Sequence, residues 1–528
     1  MIEPLTPLSR FRHCLTLMHF RFLLLAVLLL IGVNTPAQIK STNGPTVRLT
    51  LEQAIVLALQ NNFRIAIQRI TSDLSLYDLK ASYGAYDPTY SLNFVHSSQT
   101  REGQFSSNTG IQAPASTSEV DSVRQNVTGY LPTGLTYDLG VSFDHRTGST
   151  GGGTFDQYGS SAGFSSLTQP LLRDFWIDSQ RRTIKIARLS RDVSDLEFER
   201  QVSQIISSVQ KAYYDLIAAA ETSKASYSAY VSAKQLAEDT RREVEIGSKA
   251  PLADKEAEST AQLRLADYYR SAHDRNSAEN ELKNLTSRSF RKDYEGRIEP
   301  DEKLLRIERR PVDLQESWKN GLEKRPDYRA YYFRVEQEKI NLRFARNQMY
   351  PTLDLVGGYS RSGLDSSSTS PFNTATLGGA FHDISRNSQP SHSYGVVLSS
   401  PITLLRERNN LKRSKAVQDQ VWLELQALEQ DILVQIDTTI SLIRSSGMRI
   451  AATRAAREAA EQALDAETKR LLRGVSTPTE VLKLQDRLVQ SQRDEVSALL
   501  DYNKALSDLD LNDGTILDRN NIQIQSLK

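Results

Sequence analysis

The stretches YGAYDPTYSLNF (83–94) and RNQMYPTLDLVG (346–357) are two places where the sequence changes its period. Each follows a polar run with helical spacing, contains a Pro-Thr pair, and continues with alternating polar and apolar side chains. Helices repeat every 3.6 residues and strands every two. The sequence therefore predicts a change from helix to strand twice along the chain.

A fixed offset of 263 residues aligns the two stretches and the helical runs before them without a gap. The aligned positions include Leu51 with Leu314, Leu79 with Leu342, and Pro88 with Pro351. Later segments also correspond, namely SLTQPLLRD (166–174) with VLSSPITLL (397–405), and IGSKAP (246–251) with RGVSTP (473–478). An internal duplication is predicted. Thr50 with Gln53, and Asp313 with Glu316, are expected to form capping boxes that start the first helix of each half.

Two further runs with helical spacing are much longer than an ordinary helix. They cover about 185–246 and 406–473, and neither contains proline. At 1.5 Å per residue each would be roughly 90 to 105 Å long, so it must pack against other rods as in a coiled coil. Gly247 and Gly474 are expected to end these helices, and Pro251 and Pro478 suit the first turn of antiparallel returning helices, about 252–286 and 478–511.

The alternating segments allow two interpretations. Tyr137, Leu139, Val141 and Phe143 alternate with polar residues, and Gly/Ser/Asn-rich loops over 100–119, 147–157 and 362–391 join such segments. A soluble sandwich alternates in this way, and so does the wall of an outer-membrane β-barrel. The rods, the duplication and an N-terminal leader favour the barrel. A wall in lipid must be closed, and the few strands of one chain enclose little space, so several copies are expected to share one barrel through cyclic symmetry.

Composition and the N-terminus narrow the class of protein. The chain has 528 residues, 65 basic and 64 acidic side chains, and 8% aromatics, which argues against a nucleic-acid-binding tail and a disordered chain. The apolar run 22–33 is shorter than the roughly 20 residues that a membrane-spanning helix needs. With basic residues before it and NTPAQ after it, this run predicts a signal peptide, 1–37, cleaved after Ala37. A buried core helix is the alternative, and Met18 is an alternative start.

The only cysteine, Cys14, lies in this leader, so neither a disulfide nor a lipid-bearing N-terminal cysteine is expected in the mature chain. Catalytic patterns are weak. GSSAG (159–163) fits G-x-S-x-G, but no helix follows it directly, which makes a chance match the better explanation. The histidines after the leader are not spaced as metal ligands on one helix, and no glycine-rich loop with a lysine is present to bind phosphate. We expect that the chain is not an enzyme and binds no cofactor. A partner must then supply the energy for any process that the chain takes part in.

Taken together, several segments resemble the outer-membrane efflux protein family of the TolC type. They are LTLEQAIVLALQNN (49–62), VDLQESWKNGLEKRPD (312–327), YPTLDL (350–355), LTQPLL (167–172) and RGVSTPTEVLKLQ (473–485). Each is weak alone, but their joint order is specific, and they span nearly the whole mature chain. The domains would be the signal peptide 1–37, a first repeat 38–300, a second repeat 301–511, and a C-terminal tail 512–528.

The resemblance implies an α+β membrane protein of the cell outer membrane. Three copies would share a twelve-stranded transmembrane β-barrel, with four strands per chain, continued by a periplasmic α-helical coiled-coil barrel. The implied partners are a periplasmic adaptor (membrane fusion protein) and an inner-membrane pump of the RND, ABC or MFS type. The sequence departs from this pattern between Ser98 and Leu167, where 123–131 and 135–145 around LPTG predict an additional hairpin. Its place, in the wall or outside it, stays open.

The resemblance also points to the tips of the long helices. It places Glu480 at a position that narrows the periplasmic entrance, with Lys483 where a second acidic residue is expected. Thr477 followed by Glu480 also fits a capping box that merely starts a helix, and both roles can hold. Adaptor contact is implied around Gly247, Pro251, Asp254, Gly474, Thr477 and Pro478.

Two functions remain open at this stage. One is an outer-membrane channel of a tripartite efflux or type I secretion system, acting as a passive export conduit. The other is a periplasmic coiled-coil spacer, anchored in the outer membrane, that does not conduct. The exported substrate is not encoded in these patterns, because a wide, wet tunnel makes few contacts with what passes through it.

Overall fold

The computed structural model describes residues 46–524, apart from 104, 107, 109, 113, 151–152, 294, 302–309, 368–373 and 387–388. The signal peptide predicted over 1–37, with Cys14, lies outside the described residues. Among the described helices, none combines the length and the hydropathy that a bilayer crossing requires.

The first half contains helices, then strands, then two long helices. It begins with β1 (Thr46–Leu49), α1 (Leu51–Asn61), α2 (Phe63–Ser82) and a 3-10 turn (Tyr83–Tyr86). The strands are β2 (Thr89–Arg101), β3 (Phe105–Ser106), β4 (Ile111–Gln112), β5 (Ser116–Tyr130), β6 (Thr136–Thr150) and β7 (Gly153–Pro170). After them come α3 (Ser179–Glu245), α4 (Pro251–Thr286), α5 (Phe290–Asp293) and β8 (Arg297–Pro300).

The second half follows the same order with fewer strands. Its elements are α6 (Leu314–Lys324), α7 (Pro326–Asn347), β9 (Thr352–Ser367), α8 (Leu377–Arg386), β10 (Gln389–Ser399), α9 (Leu405–Leu472), α10 (Pro478–Asn512) and α11 (Ile516–Arg519). Both predicted changes of period are confirmed, because β2 and β9 begin at Thr89 and Thr352, directly after the two prolines.

The helix start signals are confirmed in one half and wrong in part in the other. The Thr50 hydroxyl accepts the N–H of Gln53 at 3.2 Å, and the Gln53 side chain accepts the N–H of Thr50, which completes a capping box. Asp313 caps α6, but it accepts the N–H of Gln315 at 3.1 Å. The box predicted with Glu316 is therefore wrong in its partner, because the short carboxylate meets the second amide of the helix.

The long helices are confirmed and have 67 and 68 residues, which makes each about 100 Å long. The first starts six residues before the predicted 185, because Asp178 accepts the N–H of Arg181 at 2.7 Å and caps it there. α4 packs along α3 and α10 along α9, while α10 also packs on α3 and joins the two hairpins.

Apolar side chains from these rods form the core. Fully buried members include Ile206, Tyr213 and Leu216 of α3, Ile432 and Ile436 of α9, and Leu509 of α10. Each such side chain contributes about 1.5–3 kcal/mol of hydrophobic stabilisation. The end of β1 is fixed on the same core, since the Tyr213 hydroxyl donates to the Leu49 carbonyl oxygen at 2.9 Å.

Six strands form one antiparallel sheet in the order β10-β9-β7-β6-β5-β2. The predicted additional hairpin is confirmed and extends over β5 and β6, which lie between β2 and β7. The four strands per chain that the resemblance implies are therefore too few for the described residues. The extra sequence between residues 98 and 167 forms β5 and β6, which add two strands to the sheet.

The two faces of this sheet differ in polarity, as the alternation predicted. One face is apolar over the lower part of the strands and includes Tyr90, Leu92, Phe94, Val127, Leu139, Val141, Phe143, Leu355, Tyr359 and Tyr394. The other face is mostly polar or small, with Val95, Val356 and Val397 as exceptions, and includes Asn93, Arg124, Asn126, Asp138, Ser142, Asp144, Ser161 and Asp354. Tyr90, Phe94 and Tyr394 are largely exposed in the single chain. An apolar surface this extensive marks a contact with lipid or with another chain.

Candidate functional site

The two hairpins end in turns of the same geometry. Gly247 and Gly474 both have φ +76°, a left-handed conformation that favours glycine. The N–H of Gly247 donates to Val244 O, and that of Gly474 donates to Leu471 O, both at 2.9 Å. Pro251 and Pro478 occupy the first turn of α4 and α10, where no N–H is needed. The predicted turn chemistry is confirmed at both tips.

Each tip exposes apolar side chains. We define the first tip as residues 246–254 and the second tip as residues 472–483. Ile246 and Leu252 are 79% and 68% exposed at the first, and Leu472 and Val475 are 83% and 63% exposed at the second. Asp254 follows in the first turn of α4, with its carboxylate 3.8 Å from the Lys255 ammonium. Exposed apolar side chains at the end of a polar rod are typical of a surface that meets a partner.

Glu480 and Lys483 lie together on the second tip. Thr477 caps α10, its hydroxyl accepting the N–H of Glu480 at 3.4 Å. The Glu480 carboxylate accepts from the Lys483 ammonium at 2.8 Å instead of returning to the cap. Both side chains are more than half exposed, so this pair stabilises the helix by 1 kcal/mol or less, an order of magnitude set by exposed ion pairs in general. Its main effect is to neutralise the local charge.

A charged contact that the sequence analysis missed joins the two hairpins near the tips. Arg264 of α4 pairs with Asp486 of α10 and also donates to Asp267 at 3.0 Å. Burial raises the pKa of the Asp486 carboxyl, and the Arg264 charge opposes that shift. No local pattern in the sequence indicates that these two side chains are neighbours, because they meet only once α4 and α10 are both packed against α3.

Polar contacts continue along the hairpin interface. The Lys504 ammonium lies 2.6 Å from Asp215, and Lys211 pairs with Asp508, both between α3 and α10. Within the second hairpin, the buried Glu495 accepts from Arg454 at 3.1 Å and from Arg457 at 2.6 Å. A buried carboxylate must be paired in this way, since an unpaired one would cost several kcal/mol, roughly 3–5. These contacts fix the relative register of the rods.

Apolar side chains on two helices are exposed in the part of the chain that the structure describes. The α2 stripe consists of five side chains at three- and four-residue steps that are 55–62% exposed: Phe63, Ile67, Ile70, Leu74 and Tyr77. On α9 a second set of exposed apolar side chains comprises Trp422, Leu423, Val434, Leu442 and Met448. A helix with a core face and an opposite apolar face is typical of one that packs against a further chain.

The weak catalytic pattern has no chemical setting in the fold. Ser161, the serine of GSSAG, lies in the middle of β7, and the neighbouring Ser160 donates to the Ala380 carbonyl oxygen at 2.6 Å. His96 and His145 each contact one carboxylate, Asp121 at 2.7 Å and Asp156 at 2.8 Å. In the part of the chain that the structure describes, no group of three or more His, Cys, Asp or Glu is arranged to hold a metal ion.

Comparisons with known proteins address both sequence and fold. Residues 319–515 match the model of the outer membrane efflux protein family. A search of curated proteins by sequence gives no match. Solved structures with a similar fold include the Campylobacter jejuni CmeC outer membrane channel, with a TM-score of 0.64 at 14% identity, covering 88% of this chain and 85% of that one.

Two further structures are similar to a comparable degree. The Neisseria gonorrhoeae MtrE outer membrane channel in its open state has a TM-score of 0.60 at 19% identity, covering 88% of this chain and 89% of that one. The Vibrio cholerae outer membrane protein VceC has a TM-score of 0.62 at 15% identity, covering 88% and 96%. The resemblance predicted from the sequence is confirmed: the chain is similar to outer membrane efflux proteins, in sequence over residues 319–515 and in fold over 88% of its length.

Proposed function

We propose that this chain is an outer-membrane channel that exports solutes passively from the periplasm, and that it is not an enzyme. The observation that supports this best is a sheet with one apolar and one polar face that continues directly into helical hairpins about 100 Å long. The apolar face suits lipid and the polar face suits a water-filled lumen. In this proposal the chain divides into the leader 1–37, two duplicated halves, 38–300 and 301–511, and a tail, 512–528.

Three copies would assemble into the channel. In the described residues β2 and β10 form the two edges of the sheet, and an edge in lipid leaves backbone groups unpaired. In the helical region, the α2 stripe and the exposed apolar side chains of α9 would pack against neighbouring copies. A trimer is the number that the family resemblance implies, and cyclic symmetry closes both the sheet and the ring of rods.

Two partners are proposed, an adaptor that binds the tips and a pump that supplies the energy for export. The apolar side chains at the two tips, together with Gly247, Pro251, Asp254, Gly474, Thr477 and Pro478, would meet a periplasmic adaptor. Since no nucleotide-binding or redox site was recognised in the sequence, an inner-membrane pump of the RND, ABC or MFS type would supply the energy.

Recordings from planar lipid bilayers test the channel directly. Purified trimer should insert and give discrete, long-lived conductance steps. The competing spacer hypothesis predicts membrane association without any steps. A protein that inserts as a trimer and stays electrically silent, with and without the adaptor, would rule out the export conduit.

A first prediction concerns the charge at the second tip. Glu480→Gln removes the carboxylate and leaves the Lys483 ammonium unpaired, so three copies add three positive charges at the entrance. Rings of charge set ion selectivity at a constriction. We expect the reversal potential in a salt gradient to shift toward anions, and the matched variant Lys483→Gln to shift it toward cations. Unchanged selectivity in both variants would place the pair away from the conducting path and leave helix capping by Thr477 as the local role.

A second prediction concerns the contact between the two hairpins. Asp486→Asn removes the charge that Arg264 pairs with, so the tips should separate more easily and single-channel conductance should rise by a factor of about two or more, since a half-buried pair contributes on the order of 1 kcal/mol. The matched control is Asp494→Asn, whose carboxylate accepts within α10 from Gln490 at 2.9 Å and, among the described residues, does not join the two hairpins.

The same contact predicts a pH dependence. Because the pKa of Asp486 is raised, its carboxylate takes up a proton at a higher pH than an ordinary aspartate, whose pKa is about 3.9. The pairing with Arg264 is present above the raised pKa of Asp486 and is lost as the pH falls through that raised pKa. Wild-type conductance should therefore rise on acidification, while Asp486→Asn should show a flat profile. A variant with the wild-type profile would show that the pair does not control the entrance.

A further inference from the structure

We infer that the wall of the assembled barrel has eighteen strands, because the hairpin of β5 and β6 is part of it. Three copies of a six-stranded sheet supply this number, in place of the twelve that the resemblance implies. The inference rests on the proposed function, and it names the partner of both sheet edges as a second copy of this chain.

Continuous pairing on both sides places the hairpin in the wall. β5 pairs with β2 from Thr89–Thr128 to Arg101–Ser116, which is the whole length of β2. β6 pairs with β7 from Thr136–Thr168 to Thr150–Gly153. β2 and β7 would be neighbours in a chain with four strands, but here they lie three strand spacings apart, about 14 Å.

The polarity of the hairpin matches that of its neighbours most clearly in the row of Leu139, whereas the next row of the same face also contains Gln125 and Arg361. On the apolar face, Leu139 lies opposite Val127 on one side and Phe164 on the other, and Phe164 lies opposite Tyr359. On the polar face, Asn126 lies opposite Ser91. At Phe143 this face is covered by α8, whose Phe381 ring lies 6.1 Å away, but a hairpin that projected into water would gain little from the apolar row of Leu139 in register with the other strands. The shared polarity indicates that the hairpin and its neighbouring strands have the same environment, with lipid outside and water inside.

Strand direction allows the closure. Neighbouring strands alternate in direction through the sheet, so the edge strands β2 and β10 run in opposite directions. β2 of one copy can thus pair antiparallel with β10 of the next, as barrels of this kind require. Insertion of two strands keeps this alternation, whereas insertion of one strand would break it. The extra hairpin is therefore compatible with a closed ring of three copies.

A wider lumen is the functional consequence. With about 4.8 Å between strands and a tilt of about 40°, each strand takes up about 6.3 Å of circumference. Eighteen strands then give a backbone diameter of about 36 Å, against about 24 Å for twelve, and barrels of 16–18 strands leave an open aqueous channel. The barrel would admit bulky solutes, and the narrowest point of the conduit would lie at the helix tips.

Cysteine labelling in lipid tests the position of the hairpin. In a Cys14→Ser background, which has no other cysteine, Val141→Cys is on the apolar face of β6 and Ser142→Cys on its polar face. Leu355→Cys and Asp354→Cys provide the same pair of faces on β9. Spin-labelled lipid should quench a fluorophore at 141 as strongly as one at 355. A membrane-impermeant maleimide should react at 142 as it does at 354.

If the hairpin lies outside the wall, positions 141 and 142 should both react with the water-soluble reagent and neither should be quenched by lipid, while 355 is still quenched. That result would overturn the inference and leave the channel proposal intact. Quenching at neither 141 nor 355 would instead show that the sheet is not embedded in the membrane, and would refute the proposed function.

Electron cryomicroscopy of the full-length trimer measures the wall itself. We expect a ring of backbone density about 36 Å across. A ring of about 24 Å in a trimeric channel would refute eighteen strands without affecting the proposed function. A variant that lacks residues 116–150 joins β2 to β7 and should narrow the ring to the smaller value. If that variant fails to assemble, the diameter of the full-length protein still decides.

Discussion

Gly163→Ala is expected to abolish most of the assembly of the proposed trimer. Gly163 has φ +153°, and a Cβ at this position would lie 2.6 Å from the Ser360 Cα and closer still to the carbonyl oxygen of Tyr359. Those atoms belong to the backbone of β9 and cannot move without breaking its pairing with β7. That pairing joins the strands of the two halves of the chain. Backbone strain and overpacking each cost about 1–3 kcal/mol, so the trimer yield should fall by a factor of ten or more.

The yield is measured as the fraction of outer-membrane protein that migrates as trimer without heating and as monomer after heating. Gly395→Ala on β10 is the matched control. Its Cβ would meet only the Val356 side chain at 3.7 Å, an ordinary contact, and its φ is not left-handed. The control should assemble as the wild type does. Equal trimer yields for both variants would show that β7 and β9 do not pair as described.

Local signals predicted much of this fold. The change of period at Pro88 and Pro351, the glycines at 247 and 474, and the prolines at 251 and 478 each act on the backbone within a few residues. Such effects depend on dihedral preferences and on missing N–H groups, which the sequence states directly. The long helices and their antiparallel return were predictable for the same reason.

Contacts between distant segments were not predictable in this way. The resemblance implied four strands per chain, and only the pairing partners of β5 and β6 show that the sheet has six. The pair of Arg264 and Asp486 depends on how two helices pack on a third. The Glu480 carboxylate has two possible donors three residues away, the Thr477 N–H and the Lys483 ammonium. In the structure it accepts from Lys483. The roles of the tip residues in gating and adaptor binding stay predictions.

Ile70→Asp is expected to convert the proposed trimer into folded monomers. Ile70 lies at the centre of the α2 stripe, is 59% exposed in the single chain, and faces away from the core, which the same helix meets through Ile65 and Ser72. Burying an isoleucine against a neighbouring copy contributes about 1.5–3 kcal/mol, and a buried, unpaired carboxylate costs more than is gained. Each of the three interfaces carries this change. Sedimentation velocity in detergent should show the loss of the trimer.

Two comparisons separate assembly from folding. Ile70→Leu keeps an apolar side chain of the same volume and should remain trimeric. The aspartate variant should keep its helical circular dichroism, because a side chain exposed in the single chain contributes little to its core. Loss of helix content together with loss of the trimer would mean that Ile70 supports the fold of the chain itself. An Ile70→Asp protein that stays trimeric at the same concentration would show that α2 faces solvent or lipid, and another surface, such as the exposed apolar side chains of α9, would then have to hold the copies together.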